Sequence, residues 1–436
     1  MGKRNHPCGC HPDLSGENLI MEPLIRKQRT RLLLGKIQSF FLLFLSSAAV
    51  GIATGILDSL FGITLLHLDA YRSLYPFLTI PLLPLAGIII IGTYRKWGGN
   101  CFYAMNNVFR AAFGQKEPLP WRTIPFCMGA TWLTHFFGGS AGRIGVAIPI
   151  GAVLASHMRK FIRGRRTMHI LLIAGMAAGF GGLFQTPVAA VFFAMEILAF
   201  GRFENDAFFP ALAASWSAYF TASELGMPRL ALVQHEIIPV HIGVIFILAA
   251  CGILFGTVGG SFAWSMARTR QCLTYFFPDP YRRIAVCGAA VAILSLLLHS
   301  GRYSGLSLSL MTAAFTGGMI YSSDWICKYV LTLVTRAGGF QGGELMPVLC
   351  IGASLGVLIS PLTGLPPSFM AACGAIGVFT GATNTLLAPV CFGLELFGWD
   401  YMPWFFTVCV VAKAVNFNQC LYALQRKNPT FWNWNS

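Results

Sequence analysis

The chain has 436 residues, 55% of them hydrophobic and only 11% charged, where a soluble domain carries about a quarter charged residues. That balance excludes a soluble enzyme or adaptor and marks an integral membrane protein. The formal charge of +15 does not signal a nucleic-acid partner, because the basic residues cluster beside apolar runs in the positive-inside pattern of cytoplasmic helix ends.

Residues 1–36 read as a basic cytosolic tail, disordered or lying on the membrane surface, with Arg26, Lys27, Arg29, Arg31 and Lys36 at its end. It is polar and contains no secretory signal, so the first span is expected to act as an uncleaved insertion signal. Cys8, Cys10 and His11 form one short cluster without the four ligands that a zinc site needs. The cysteines otherwise sit in apolar runs as small hydrophobes. No metal and no cofactor is expected.

A spanning helix needs roughly 20 apolar residues. Apolar runs occur near 38–66, 77–94, 122–137, 168–200, 206–222, 239–266, 284–299, 325–335, 347–378 and 386–415. Several are too long or too short for one span, and Gly or Pro cuts many of them. In the first run Gly51 and Gly55 stand at small-xxx-small spacing for close helix contact. Asp58 in the same run is expected near the outer interface or capping a turn, since a mid-membrane carboxylate costs about 2.5 kcal/mol or more. Arg95 and Lys96 close the second run, and the bare turn Gly98-Gly99-Asn100-Cys101 follows. A second basic group, Arg159, Lys160, Arg163, Arg165 and Arg166, precedes the run at 168–200. Residues 226–238 read as a loop, and Gly252, Gly256 and Gly260 as a packing seam. Arg268, Arg270, Arg282 and Arg283 flank Pro278-Asp279-Pro280. Lys413, Arg426 and Lys427 place the C-terminus, like the N-terminus, in the cytosol.

An internal repeat is visible. At an offset of 199, Gly175, Phe180, Gly182, Thr186, Ala189, Val191, Phe193 and Glu196 meet Gly374, Phe379, Gly381, Thr385, Ala388, Val390, Phe392 and Glu395. The matched glutamates, near helix ends, are expected to bond backbone N–H groups of a neighbouring turn. The pattern divides one membrane transport domain, 37–426, into a repeat at about 37–225 and another at about 239–426, before a short tail at 427–436. Paired halves with broken helices point to a substrate site between them near the bilayer midplane. Periodicity leaves open whether the halves are inverted.

Two glycine turns stand in step with the repeat: Gly138-Gly139-Ser140-Ala141-Gly142-Arg143-Ile144-Gly145, and Gly338-Gly339-Phe340-Gln341-Gly342-Gly343-Glu344-Leu345-Met346-Pro347. Each feeds an apolar helical pattern. A glycine turn at a helix N-terminus aims free N–H groups and the positive dipole end at one point. That arrangement holds an anion without a buried cation. These two turns and the turn at 98–101 are expected to converge. Gly138-x-Ser140-x-Gly142 also fits a hydrolase nucleophile elbow, but that motif needs a preceding strand and none is expected. His135 reads as a hydrogen-bonded packing residue. Glu344, inside its turn, would compete with a bound anion or exchange a proton with it.

These motifs, with the glutamate-bearing segments 175–197 and 374–396, resemble the CLC family of chloride channels and proton-coupled anion exchangers over residues 38 to 426, most closely its bacterial fluoride-exporting branch. The resemblance implies an all-α integral membrane fold of inverted repeats, with broken, re-entrant helices around a central anion pathway. It implies a homodimer in the cell membrane, with lipid and a small anion such as chloride as partners. It also implies anion contacts from backbone N–H groups at Arg143, Ile144, Gly145, Glu344 and Leu345, from the Tyr422 hydroxyl, and from Asn100 or Cys101. Three positions depart from the family pattern. Ile144 replaces the gating glutamate, and an isoleucine carries no proton at any pH. Gln341 and Met346 stand where the fluoride branch has lysine and threonine. Uncoupled conduction is therefore expected, with a non-conducting interaction member and a fluoride/proton antiporter as the alternatives.

Overall fold

Proline, glycine and left-handed residues cut the apolar runs into helices of unequal length. The structure, a computed structural model, describes residues 15–113, 119–158, 165–198, 204–229, 232, 236, 238, 241–422, 424 and 425. The Cys8, Cys10 and His11 cluster lies outside them. Among the described residues, six helices are long and apolar enough to cross a bilayer: Ile37–Leu74, Pro76–Ala112, Arg166–Phe184, Ile242–Phe276, Pro280–Leu297 and Leu345–Thr363. Others are short. Pro187–Ile197 and Leu387–Phe397 have 11 residues each, which at ~1.5 Å per residue cannot cross a ~30 Å core. Such re-entrant pieces survive in a membrane only where protein covers them. Most of these two helices is buried accordingly.

The first helix begins at Ser15 and continues to Leu74, with its apolar span at Ile37–Leu74, so the helix reaches back into the residues read as a tail. Its Leu, Arg and Lys content suits a helix. The run at 168–200 is two helices, Arg165–Phe184 and Pro187–Ile197. Gln185 breaks it at φ 59°, and Asn384 breaks the second repeat at φ 58°, again 199 positions on. Neither residue is a glycine; in the first half Pro187, which opens the next helix, marks the break in the sequence.

The glutamates settle the direction of the halves. Glu196 accepts the N–H groups of Leu386, Leu387 and Ala388 at 3.1, 3.1 and 3.0 Å. Glu395 accepts those of Val188 and Ala189 at 3.0 and 2.8 Å. Each carboxylate sits at the C-terminal end of its own short helix and caps the N-terminus of the matching helix. Two helices that cap one another in this way run antiparallel. The repeats are therefore inverted, and the carboxylates satisfy donors that lipid could not.

Glycines set the helix contacts. A side chain at Gly55 would begin 2.7 Å from the Ala218 carbonyl oxygen, so the first helix lies directly on Phe208–Glu224. The seam residue Gly260 approaches Asn416 O at 2.8 Å in the same sense, with Gly252 facing Val408 and Gly256 facing Ala412. Gly151 meets Gly175 in the first half, and Gly352 meets Gly374 in the second.

Candidate anion site

The two long glycine turns meet backbone to backbone. Gly142 N–H donates to Gly343 C=O at 2.5 Å, and Gly343 N–H donates to Gly142 C=O at 2.6 Å, as an antiparallel bridge. Each turn opens a helix, Ile144–His157 or Leu345–Thr363. The first bonds back along these helices are Val146 N–H to Arg143 C=O and Val348 N–H to Glu344 C=O. The N–H groups of Arg143, Ile144, Gly145, Glu344 and Leu345 thus stand ahead of the helical ladders.

The two turns pack closely enough to exclude side chains. A side chain at Gly343 would begin 2.7 Å from Gly145 N, 2.8 Å from Ile144 N and 3.3 Å from Arg143 N. In the other direction, Gly142 faces Met346 N at 3.1 Å. Any larger residue at 343 would press on the backbone of the opposite turn. Gly145 also abuts Gly342 C=O.

Beside the bridge lies a cavity of about 210 Å³, and its wall includes Gly145, Gly339, Gly342, Glu344 and Tyr422. Gln341 is on the wall as well. The expected ligands therefore divide. Gly145, Glu344 and Tyr422 face the cavity, whereas Arg143, Ile144 and Leu345 are enclosed behind it, each 4% exposed or less. The Tyr422 ring lies against Phe109 at 5.8 Å and Phe193 at 6.5 Å. Met346, fully buried, lies outside the cavity wall.

The third turn does not join the other two. Gly99 has φ 51° with open space about it, Asn100 is exposed, and Asn100 C=O accepts from Asn107 at 2.7 Å. Cys101 is buried with Thr123 on its sulfur at 3.5 Å. The residues that follow, Phe102 to Asn106, reach the cavity instead. A short π-helical stretch, Tyr94–Gly98, shifts the register, and no periodicity argument anticipates that.

The remaining glycines serve the turns themselves. Gly138 has φ 85°, Gly139 N–H donates to Thr134 C=O at 2.7 Å, and Gly338 sits under Cys287. Gly339 caps the helix Asp324–Gly338 at φ 115°. His135 is fully buried with both ring nitrogens on carbonyls, Thr131 at 2.8 Å and Ala141 at 2.9 Å.

Several charged groups were not anticipated. Lys328 is fully buried and donates to Ser140 Oγ, Tyr303 C=O and Gly305 C=O at 2.9, 3.0 and 3.0 Å. The turn at 138–145 thus has a buried cation against it, contrary to expectation. All three ammonium donors are spent on oxygens, so the lysine braces the turn. A lone lysine in an apolar run was the available signal. Ser140, zero per cent exposed, has no room for a hydrolase substrate. Arg336 holds Glu344, its Nε 2.8 Å from Oε1, and also bonds Phe340 C=O.

Asp58 neither caps a turn nor reaches a surface. It is fully enclosed, with Oδ2 2.8 Å from the place where a Gly182 side chain would start. Neither oxygen has a hydrogen-bond partner among the described residues. The charge acting on it is that of Arg143, whose guanidinium lies 4.9 Å from the Phe184 ring. No group of three or more His, Cys, Asp or Glu suited to a metal occurs among the described residues.

Residues 86–416 match the family model described as voltage gated chloride channel. A chloride/fluoride channel protein of Pseudomonas syringae pv. tomato is 33% identical over 388 residues, 86% of this chain and 84% of the relative. The voltage-gated ClC-type chloride channel ClcB of Salmonella typhimurium is 27% identical over 302 residues, 66% of this chain and 71% of the relative. Among solved structures, a CLC-type fluoride/proton antiporter superposes with a TM-score of 0.87 at 42% identity, covering 88% of this chain and 98% of that one. A slow cyanobacterial Cl⁻/H⁺ antiporter shares the fold, with a TM-score of 0.76 at 20% identity over 86% of this chain and 95% of that one.

Proposed function

The chain belongs to the voltage-gated chloride channel family, and from that premise we propose a passive conduit for a small anion, chloride or fluoride, uncoupled from protons. The observation that carries this reading is Ile144. It is fully buried and opens the helix Ile144–His157, where its backbone nitrogen packs against Gly343. An aliphatic side chain there neither competes with an anion nor carries a proton. The preorganised N–H dipoles and the Tyr422 hydroxyl would replace the hydration shell of the ion. The working unit is a homodimer in the plasma or inner membrane, with both termini cytoplasmic.

A second reading is fluoride/proton antiport. The solved antiporter of 42% identity favours it, and so does Glu344, a carboxylate on the cavity wall. Its side chain is tied to Arg336 at 2.8 Å, so it is already partnered within the protein.

Liposome flux separates these readings. Fluoride and chloride efflux should follow the anion gradient, and an anion gradient should drive no uphill proton uptake. Such uptake would assign the protein to the antiporters, and Glu344→Gln should then abolish it. Absence of flux of either ion from a folded dimer would favour a non-conducting interaction role. Ile144→Glu should introduce pH-dependent flux, and a flat pH profile would count against the position given to the gate.

A further inference from the structure

At its open side the cavity carries more positive charge than a halide pathway needs. Arg270, Arg283 and Arg336 line it with a single carboxylate, Glu344. Three positive charges against one negative leave two. The carboxylate is already spent on Arg336. Among the described residues, no carboxylate lies within ion-pair distance of Arg270 or Arg283. Arg270 is exposed at the mouth, and its electrostatic neighbours are Arg336, Glu344 and Arg283. Arg283 donates from Nη1 to Thr274 Oγ1 at 3.1 Å, while its buried Nε has no partner.

Two like charges brought to one cavity repel unless an anion lies between them. Guanidinium forks match oxygen pairs of a phosphate or sulfate far better than they match a spherical halide. The space suffices, because 210 Å³ equals about seven water volumes at ~30 Å³ each. Thr274, also on the wall, donates its hydroxyl to Arg270 C=O at 2.8 Å while accepting from Arg283, and so orients the Arg283 guanidinium. We propose that the mouth of this cavity is a binding site for a dianionic tetrahedral oxyanion, of the phosphate or sulfate class, held by Arg270 and Arg283 beside Thr274. An oxyanion held there stands between solvent and the Gly145–Gly342 wall, and so obstructs anion passage. Only that last consequence depends on the conduit reading.

Full-length protein in detergent is titrated with sodium phosphate at pH 7.5 and fixed ionic strength, followed by calorimetry, with sodium nitrate as the monovalent control. One phosphate should bind per chain, at least about tenfold more tightly than nitrate. Arg270→Gln and Arg283→Gln should each weaken phosphate by about tenfold or more. Arg283→Lys keeps the charge but loses the fork, and should also weaken it, which charge screening alone would not do. Size-exclusion profiles show which variants fold, and the lysine variant keeps the test open should a glutamine variant fail. Nanodiscs with and without phosphatidic acid identify the source. Binding to phosphatidic acid alone would make the ligand a lipid headgroup, and binding of soluble phosphate makes it a free ion. Phosphate no tighter than nitrate in both arms, or binding indifferent to all three substitutions, overturns the site. Phosphate binding without halide flux would instead remove the conduit reading and leave the site.

Discussion

At Gly343 only a hydrogen atom fits against the backbone of the opposite turn. Alanine there would place a methyl 2.7 and 2.8 Å from Gly145 N and Ile144 N, closer than carbon and nitrogen tolerate. Overpacking of this kind costs about 1–3 kcal/mol and displaces the backbone proposed to hold the anion. Gly343→Ala should therefore lower halide flux in liposomes at least about tenfold while the protein still elutes as a folded species; unchanged flux would show that the anion takes another route. Lys328 makes a different prediction. Lys328→Met leaves the Tyr303 and Gly305 carbonyls and the Ser140 hydroxyl without their donor, at a cost of about 2–5 kcal/mol. Thermal unfolding should fall accordingly, and an unchanged midpoint would mean that the brace is unnecessary. Asp58 and Arg143 are both enclosed, and each is the other's electrostatic neighbour. Removing either alone leaves the other buried without that neighbour, so Asp58→Asn and Arg143→Gln should each destabilise by about 3 kcal/mol, and the double variant by less than the sum. Additivity in that cycle would show the two groups to be independent.

Short helices depend on their caps. Pro187–Ile197 and Leu387–Phe397 receive their N-terminal acceptors from the opposite repeat, so neither half can complete its own re-entrant element. Glu196 takes three N–H groups and Glu395 takes two. Each Glu→Ala substitution should destabilise by about 1–2 kcal/mol, more at Glu196 than at Glu395. Equal effects would mean that the dipole interaction outweighs the count of bonds. The reason these glutamates were legible from sequence is their matched position: an acid at the same place in two related halves of a membrane protein needs a partner of the same kind in each. The turn at 98–101 had no counterpart in the repeat. Its glycines resemble those of the other two turns, yet Phe102 to Asn106 line the cavity and Asn100 and Cys101 do not.

Across the whole molecule, the antiparallel bridge between Gly142 and Gly343 and the exchanged caps tie the two halves at the level of the anion site. The proposed conduit, if built within one chain, would function without its neighbour. In a covalently linked dimer with one Gly343→Ala protomer, about half the wild-type flux should remain if each subunit carries its own pathway. Near-complete loss would show that the pathway is shared. Composition, basic clusters and the offset of 199 determined, without coordinates, that this is a membrane protein of two related halves. The glycine turns marked the stretches of bare backbone proposed to hold an anion. Those signals are local in the chain, or repeat at a fixed interval, and a sequence displays both directly. The direction of the halves, the meeting of two turns but not the third, the lysine against Ser140 and the three arginines around Glu344 were decided only by packing. They join residues that lie far apart in sequence, and their partners are chosen by which helix faces approach closely enough to exclude lipid.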